Sequence, residues 1–302
     1  MRNNLLTEKD RIWKKEYEEK LRKSKKKPRK TGSTSLLKRE LGPKHVSKVF
    51  FVGCGPGDPD LITIKAKKLL QKADVVIYSG SLIPPQILKM CKKAKTYDAA
   101  KLVREEIFDI LRKNAKKGKN VVRLHDGDPT IYGAIREQMD NLSKEKIDSE
   151  IIPGVTSFLA SAAALGTQLT LPGVTQTMII TRAEKRTKVP KREKISELAK
   201  HGATMIFYLS VHLISNIVKE ALAGGYPKST PVGIVYRASW DDQKIITGTL
   251  ETISKKIKEQ KISRTAIIII GDVVKPKSYE YSRLYDKTFS HMFRKGKTSS
   301  KN

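Results

Sequence analysis

Val49-Phe50-Phe51-Val52-Gly53-Cys54-Gly55-Pro56-Gly57-Asp58 is the stretch that decides the fold. Its first five residues form an apolar run of strand length, and the glycines behind it do not continue it. Apolar spacing of three and four resumes from about residue 60, so a strand passes through a tight turn into a helix. That succession opens an α/β unit.

The alternation continues down the chain. Strands are expected at VVIYS (75–79), TYD (96–98), VVRLH (121–125) and EIIP (150–153). After Gly154 they are expected at TMIITRA (177–183), TMIFYLS (204–210), VGIVYRA (232–238), IITGTL (245–250) and AIIIIGDVV (266–274). Helices are expected near 60–73, 101–117, 132–143, 155–165, 211–223 and 251–260 from their apolar periodicity. The fold class is therefore α/β, with two α/β domains of about five strands each, at 49–153 and 154–274. The strand at 245–250 follows 232–238 too closely for a crossover helix. These two should form an antiparallel hairpin and make the second sheet mixed.

The 302 residues include 61 Lys+Arg against 31 Asp+Glu, a formal net charge of +30. Residues 1–48 and 275–302 together carry +17 of it and 49–274 only +13, which marks flexible basic tails around the folded part. The N-terminal extension is expected to be disordered or partly helical, with Trp13, Tyr17 and Leu21 at helical spacing ahead of KSKKKPRK. Such a charge run attracts phosphates without choosing among them, so nucleic acid is expected only as a non-specific partner of the tails. A hydrophobic share of 38% is enough for a core. Two cysteines, Cys54 and Cys91, build neither a disulfide framework nor a four-thiolate zinc site, which points to a reducing, cytoplasmic compartment. No apolar run reaches the roughly 18 residues of a spanning helix, and the charged N-terminus lacks the apolar stretch of an export signal.

Four loops carry candidate chemistry. The turn at 53–58 fails as a dinucleotide loop, because Asp58 stands at the third glycine position, Pro56 lacks an amide donor and the second strand ends in Ser79 instead of a ribose-binding acid. No Gly-Lys-Ser/Thr follows for a phosphate loop. The second loop, Asp126-Gly127-Asp128-Pro129-Thr130-Ile131, lies after a strand, at the edge where open α/β sheets bind ligands. Its two acids have no His or Cys at ligand spacing, so no metal site is assigned, and His125 reads as a packed imidazole. The third, Ile-Pro-Gly-Val-Thr-Ser (152–157), enters a small-residue helix, where Thr156 or Ser157 either caps the helix or faces a ligand. The fourth, Thr181–Thr187, holds Arg182 and Arg186, which are solvated unless the substrate is anionic.

Taken in order, GCGPGDPDLITIKA, ADVVIYSGSLIP, DGDPTIYG, IIPGVTSFLASAAALG and TPVGIVYRAS resemble the tetrapyrrole methylase family over about 49–274. These are S-adenosylmethionine-dependent enzymes that methylate corrin and sirohaem precursors. YSGSLIP, TRAEKRT, FYLSVH and YSRLYDKTFSHMFR are similar to the branch that methylates C-11 of precorrin-4 or cobalt-precorrin-4 in cobalamin biosynthesis. The resemblance implies a homodimer, a cofactor in the cleft between the domains and a tetrapyrrole in an adjoining trough. It implies cofactor contacts at Pro56, Asp126, Gly127, Asp128, Ile131, Thr156 and Ser157, with Leu209 and Ala238 contributing backbone or apolar surface. Sirohaem-pathway relatives carry a proposed basic aspartate where this chain has Ser79, so no general base carries over and Ser79 is a candidate substrate contact. Methyl transfer from a sulfonium to an electron-rich ring carbon depends on alignment and exclusion of water more than on an activated nucleophile. An anionic macrocycle would pair with Arg182, Arg186 and Arg237. Two other readings stand beside this one. One is a same-fold methyltransferase acting on ribosomal RNA or on a protein, as diphthine synthase does; the other is a nucleic-acid-binding protein whose basic tails carry the function.

Overall fold

The computed structural model of the chain describes residues 8, 12, 14–19, 22, 47–185 and 187–296. Trp13, Leu21, the KSKKKPRK run and Arg186 lie outside the described residues. The chain divides into two compact units, Pro43–Tyr279 and Met1–Gly42 with Glu280–Asn302.

Within Pro43–Tyr279, the first sheet is parallel. Val49–Gly53 (β1), Val75–Tyr78 (β2), Lys95–Asp98 (β3), Val121–His125 (β4) and Ser149–Ile152 (β5) line up in the order β3-β2-β4-β1-β5. Parallel neighbours need crossovers, and the helices Ile64–Lys72 (α1), Arg104–Ala115 (α2) and Arg136–Lys144 (α3) provide three of them. The period-two alternation of β1 sends Phe50 and Val52 to one face, with Leu70 and Ile87, and Val49 and Phe51 to the other, with Leu111 and Leu142. Both faces are covered, which is why these strands read as unbroken apolar runs. Each such buried side chain contributes about 1.5–3 kcal/mol.

The second sheet is mixed. Met178–Arg182 (β6), Thr204–Tyr208 (β7), Pro231–Tyr236 (β8), Lys244–Thr249 (β9) and Ala266–Ile270 (β10) take the order β6-β7-β10-β8-β9. β6 and β7 run parallel and the other pairs antiparallel, with β8 and β9 forming the expected hairpin. Central β10 again alternates. Ile267 and Ile269 meet Phe158 and Ala162 of the helix Ser157–Ala164 (α4), whereas Ile268 and Ile270 join Ile217 of Ile214–Ala223 (α5) and Ile253 of Ile253–Glu259 (α6).

Some boundaries differ from the sequence reading for local reasons. The helix expected at 132–143 starts only at Arg136, because Tyr132 and Ala134 adopt φ of 56° and 49°, a left-handed backbone that a helix does not accommodate. The strand expected to 274 stops at Ile270, where Gly271 at φ 142° turns the chain into a short 3-10 segment. Pro85–Leu88 and Ile195–Ala199 add helical turns too short to show a period. In the other unit, the C-terminal segment folds back on itself. Arg294 Nη2 donates to the carbonyls of Leu284 and Asp286 at 2.7 and 2.6 Å and closes the segment into a loop.

Candidate active site

Pairing of Gly53 with His125 sets the C-terminal ends of β1 and β4 side by side. Their loops then join through backbone, Gly127 N donating to Gly55 O at 2.8 Å and Gly55 N to Gly127 O at 3.3 Å. Gly55 and Gly127 have φ of 85° and 56°, which other residues reach only with strain. Gly154 fits against the same spot: a Cβ there would lie 2.1 Å from Gly127 O, and one on Gly53 2.5 Å from that oxygen. Asp128 locks the arrangement, its Oδ2 accepting from Gly154 N at 3.0 Å and its Oδ1 from Thr130 N at 2.8 Å. Three motifs distant in sequence thus converge on one wall.

That wall faces the loops of the second sheet across a cavity of about 320 Å³, a size within the range of small-ligand sites. Pro56, Asp126 and Ser157 line it from one side and Leu209 and Ala238 from the other. Gly127, Asp128, Ile131 and Thr156 do not line it but build its support. Ile131 packs beside Phe158. Thr156 is the N-cap residue of α4 without capping it through its side chain. Its Oγ1 instead shares a 2.5 Å hydrogen bond with the Tyr208 hydroxyl, and that hydroxyl accepts from Phe158 N at 3.3 Å. A tyrosine of the second sheet therefore caps α4.

Ser79 stands beside the cavity without lining it. Its Oγ donates to Leu124 O at 3.3 Å and accepts from Arg123 Nη1 at 3.4 Å. Arg182 is also outside the lining, its guanidinium donating to the carbonyls of Thr187 and Lys188 at 3.0 and 2.9 Å and bracing its own loop. Arg237 does line the cavity, with Nη1 paired to Asp242 Oδ2 at 2.6 Å. Residues that the sequence reading did not single out, Tyr208, Trp240 and Thr265, complete the wall. Leu209, Arg237 and Thr265 hold φ of 54°, 47° and 54°. A left-handed non-glycine residue costs about 1–2 kcal/mol, and such residues collect at functional sites.

Burial governs the charges here. It raises the pKa of the Asp126 carboxyl, against hydrogen bonding from its own backbone and the nearby Arg123 guanidinium. Arg123 is itself pushed down to about 10 by burial, and its Nη1 donates to the carbonyls of Ile77 and Leu124, each at 3.2 Å. His125 is pushed down to about 3 by burial and then by Arg123, so its imidazole is neutral at pH 7, with Nε2 buried and unpartnered. Burial raises the Cys54 thiol strongly, with Asp126 adding to it. Among the described residues, no group of three or more His, Cys, Asp or Glu could hold a metal ion.

The sequence model of the tetrapyrrole (corrin/porphyrin) methylases matches residues 48–254. A cobalt-precorrin-4 C(11)-methyltransferase of Methanocaldococcus jannaschii is 55% identical over 249 residues, which are 82% of this chain and 96% of that protein. The X-ray structure of a cobalamin biosynthetic enzyme, a cobalt precorrin-4 methyltransferase, is similar with a TM-score of 0.74 and 44% identity, over 76% of this chain and 96% of that one. A uroporphyrin-III C-methyltransferase from Thermus thermophilus, complexed with S-adenosyl homocysteine, gives a TM-score of 0.66 at 30% identity, over 76% and 99% of the two chains. On the shared sheets and the extent of these matches, the chain belongs to the tetrapyrrole (corrin/porphyrin) methylase family.

Proposed function

We propose that the chain is an S-adenosylmethionine-dependent C-methyltransferase that methylates C-11 of precorrin-4 or cobalt-precorrin-4 in cobalamin biosynthesis. The observation that carries the reading is the meeting of Pro56, Asp126, Ser157, Leu209 and Ala238 on one cavity, in a chain 55% identical to a relative named for that reaction. The lining suits the cofactor's chemistry. The half-buried Asp126 offers a partner to a cationic group, Ser157 offers a hydroxyl, and Pro56, Leu209 and Ala238 offer apolar surface. When bound, S-adenosylmethionine supplies an electrophilic methyl group on a sulfonium.

The chain's own residues would then orient and exclude water. Arg123 behind the wall favours the charged form of Asp126, and the glycine cluster fixes the loop that bears it. Transfer of that methyl to an electron-rich ring carbon would need no side-chain nucleophile, and the alignment that these residues hold would supply much of the rate. This reading gives the macrocycle's carboxylates to Arg237, which lines the cavity, and to Arg182 and Arg186, with Arg182 exchanging the Thr187 and Lys188 carbonyls for the substrate, and it makes Ser79 the contact near β2. A homodimer in the cytoplasm completes the reading. Exposed Met178 and Ile180 on edge strand β6 support self-association, and no described helix is long and apolar enough to cross a membrane. Methylation of RNA or protein and nucleic-acid binding through the tails are not favoured, since the similarity to the relatives runs through most of the chain.

The test is incubation of the full chain with S-adenosylmethionine and each tetrapyrrole, with mass spectrometry and carbon NMR of the product. A single added methyl at C-11 is the expected result. No transfer to either tetrapyrrole, with the cofactor bound, would overturn the substrate assignment.

A further inference from the structure

We infer that Trp240 is a positioning residue of the cavity: its indole clasps the turn of the β8–β9 hairpin onto the glycine loop after β1 and so sets the separation of the two walls. The inference rests on the cofactor reading above for the ligand whose binding the clasp serves.

Residues 237–243 form a turn held firmly on its own sheet. Arg237 N donates to Thr265 O at 2.9 Å, Trp240 N to Arg237 O at 3.0 Å and Ser239 N to Gln243 Oε1 at 2.7 Å. From this base two bonds reach the first sheet's loop. Trp240 Nε1 donates to Pro56 O at 2.9 Å, and Asp58 N donates to Ser239 Oγ at 3.0 Å. The indole has Gly57 on one side: a Cβ built there would stand 2.2 Å from Trp240 Cδ1. On the ring's face lies the Arg237 guanidinium, 3.8 Å from the centroid and anchored by Asp242. Arg237 and Ser239 hold left-handed φ of 47° and 66° to bring the turn into this position, and such a backbone persists where surrounding contacts over-determine it.

The clasp adjoins the ligand space on both sides, since Pro56, Arg237, Ala238 and Trp240 all line it. A ligand touching both walls needs them at one spacing, and preorganised spacing spares the ordering cost of binding. Gly57 itself does not lie in the left-handed region, and the three nearest atoms that a Cβ there would meet all belong to the Trp240 indole.

The clasp predicts a coupling between two residues that neither alone reveals. Gly57→Ala, Trp240→Ala and the double variant are made in the full chain, with S-adenosylhomocysteine affinity measured by calorimetry. Each single change should weaken binding about tenfold, a loss of about 1.4 kcal/mol, and Gly57→Ala should cost less than about twofold once Trp240 is alanine. Trp240→Phe, which shortens the ring and removes the donor, takes the place of Trp240→Ala if the latter does not fold. In a Trp13→Phe background Trp240 is the sole tryptophan, and its emission should shift as S-adenosylhomocysteine binds. Equal costs of Gly57→Ala in both backgrounds, or unchanged emission and affinity, would overturn the clasp while leaving the cofactor reading intact. An unaltered chain that binds no S-adenosylhomocysteine would overturn the cofactor reading, and the positioning role with it.

Discussion

The two walls of the cavity are built on opposite plans. The support of the first-sheet wall is nearly bare backbone, with Gly53, Gly55, Gly127 and Gly154 packed so closely that added methyl groups at Gly53 and Gly154 would meet carbonyl oxygen. The second-sheet wall turns through Leu209, Arg237 and Thr265, ordinary residues held in a conformation that glycine would adopt without strain. One wall gains its shape from what is missing, the other from contacts that hold strained backbone in place. Rigidity in the first therefore comes from fit, and in the second from the balance between strain and its restraints.

The sharpest way to break the comparison is to add one carbon to the first wall. Gly154→Ala should lower stability by about 3 kcal/mol in urea unfolding, since the obstacle 2.1 Å away is backbone and cannot rotate aside. A loss below about 1 kcal/mol would mean that this wall gives way as readily as the other. Asp128→Ala should cost about 2 kcal/mol in the same measurement, because Gly154 N and Thr130 N both lose a charged acceptor.

His125, behind the first wall, gives a pH test. Burial holds its folded pKa down at about 3, below the ordinary imidazole value of 6.5, so between those values the unfolded chain binds a proton that the folded chain refuses. Stability should therefore fall as pH drops through that window, by at most about 1.4 kcal/mol per pH unit. Comparing denaturation midpoints at several pH values for the unaltered chain and His125→Gln should show that share of the slope disappearing. On the second wall the smallest effect has the opposite sign. Leu209→Gly, at an exposed side chain with φ 54°, should raise stability by about 0.5–1 kcal/mol while weakening S-adenosylhomocysteine binding. Destabilisation instead would remove strain from the account of this wall.

The contrast also explains what was legible in the sequence. Apolar runs such as Val49–Gly53 and Ala266–Ile270 mark strands because both of their faces are buried, and the β8–β9 hairpin follows from the short spacing alone. The glycine motifs mark the first wall because only glycine fits there. Nothing comparable marks Thr265 or Trp240: their roles depend on partners across the chain, Arg237 N for the Thr265 carbonyl and Pro56 O for the indole. The support given by Asp128 and Thr156 was hidden for the same reason. Their polar atoms bond to Gly154 and Tyr208, and the motif shows only that the polar atoms exist. Arg182 turned toward its own loop because two carbonyls five and six residues on lie within reach, a local competition that charge counting does not see.

The cap that Tyr208 places on α4 bears on the order in which the chain acquires structure. All five strands of the first sheet lie before residue 153, so that sheet can be complete while the remainder is still being synthesised. The helix that follows at once cannot be secured at the same moment, because the hydroxyl that satisfies Phe158 N arrives fifty residues later on β7. The start of α4 therefore lacks this cap until β7 is in place, which ties completion of the helix that follows the first sheet to assembly of the second.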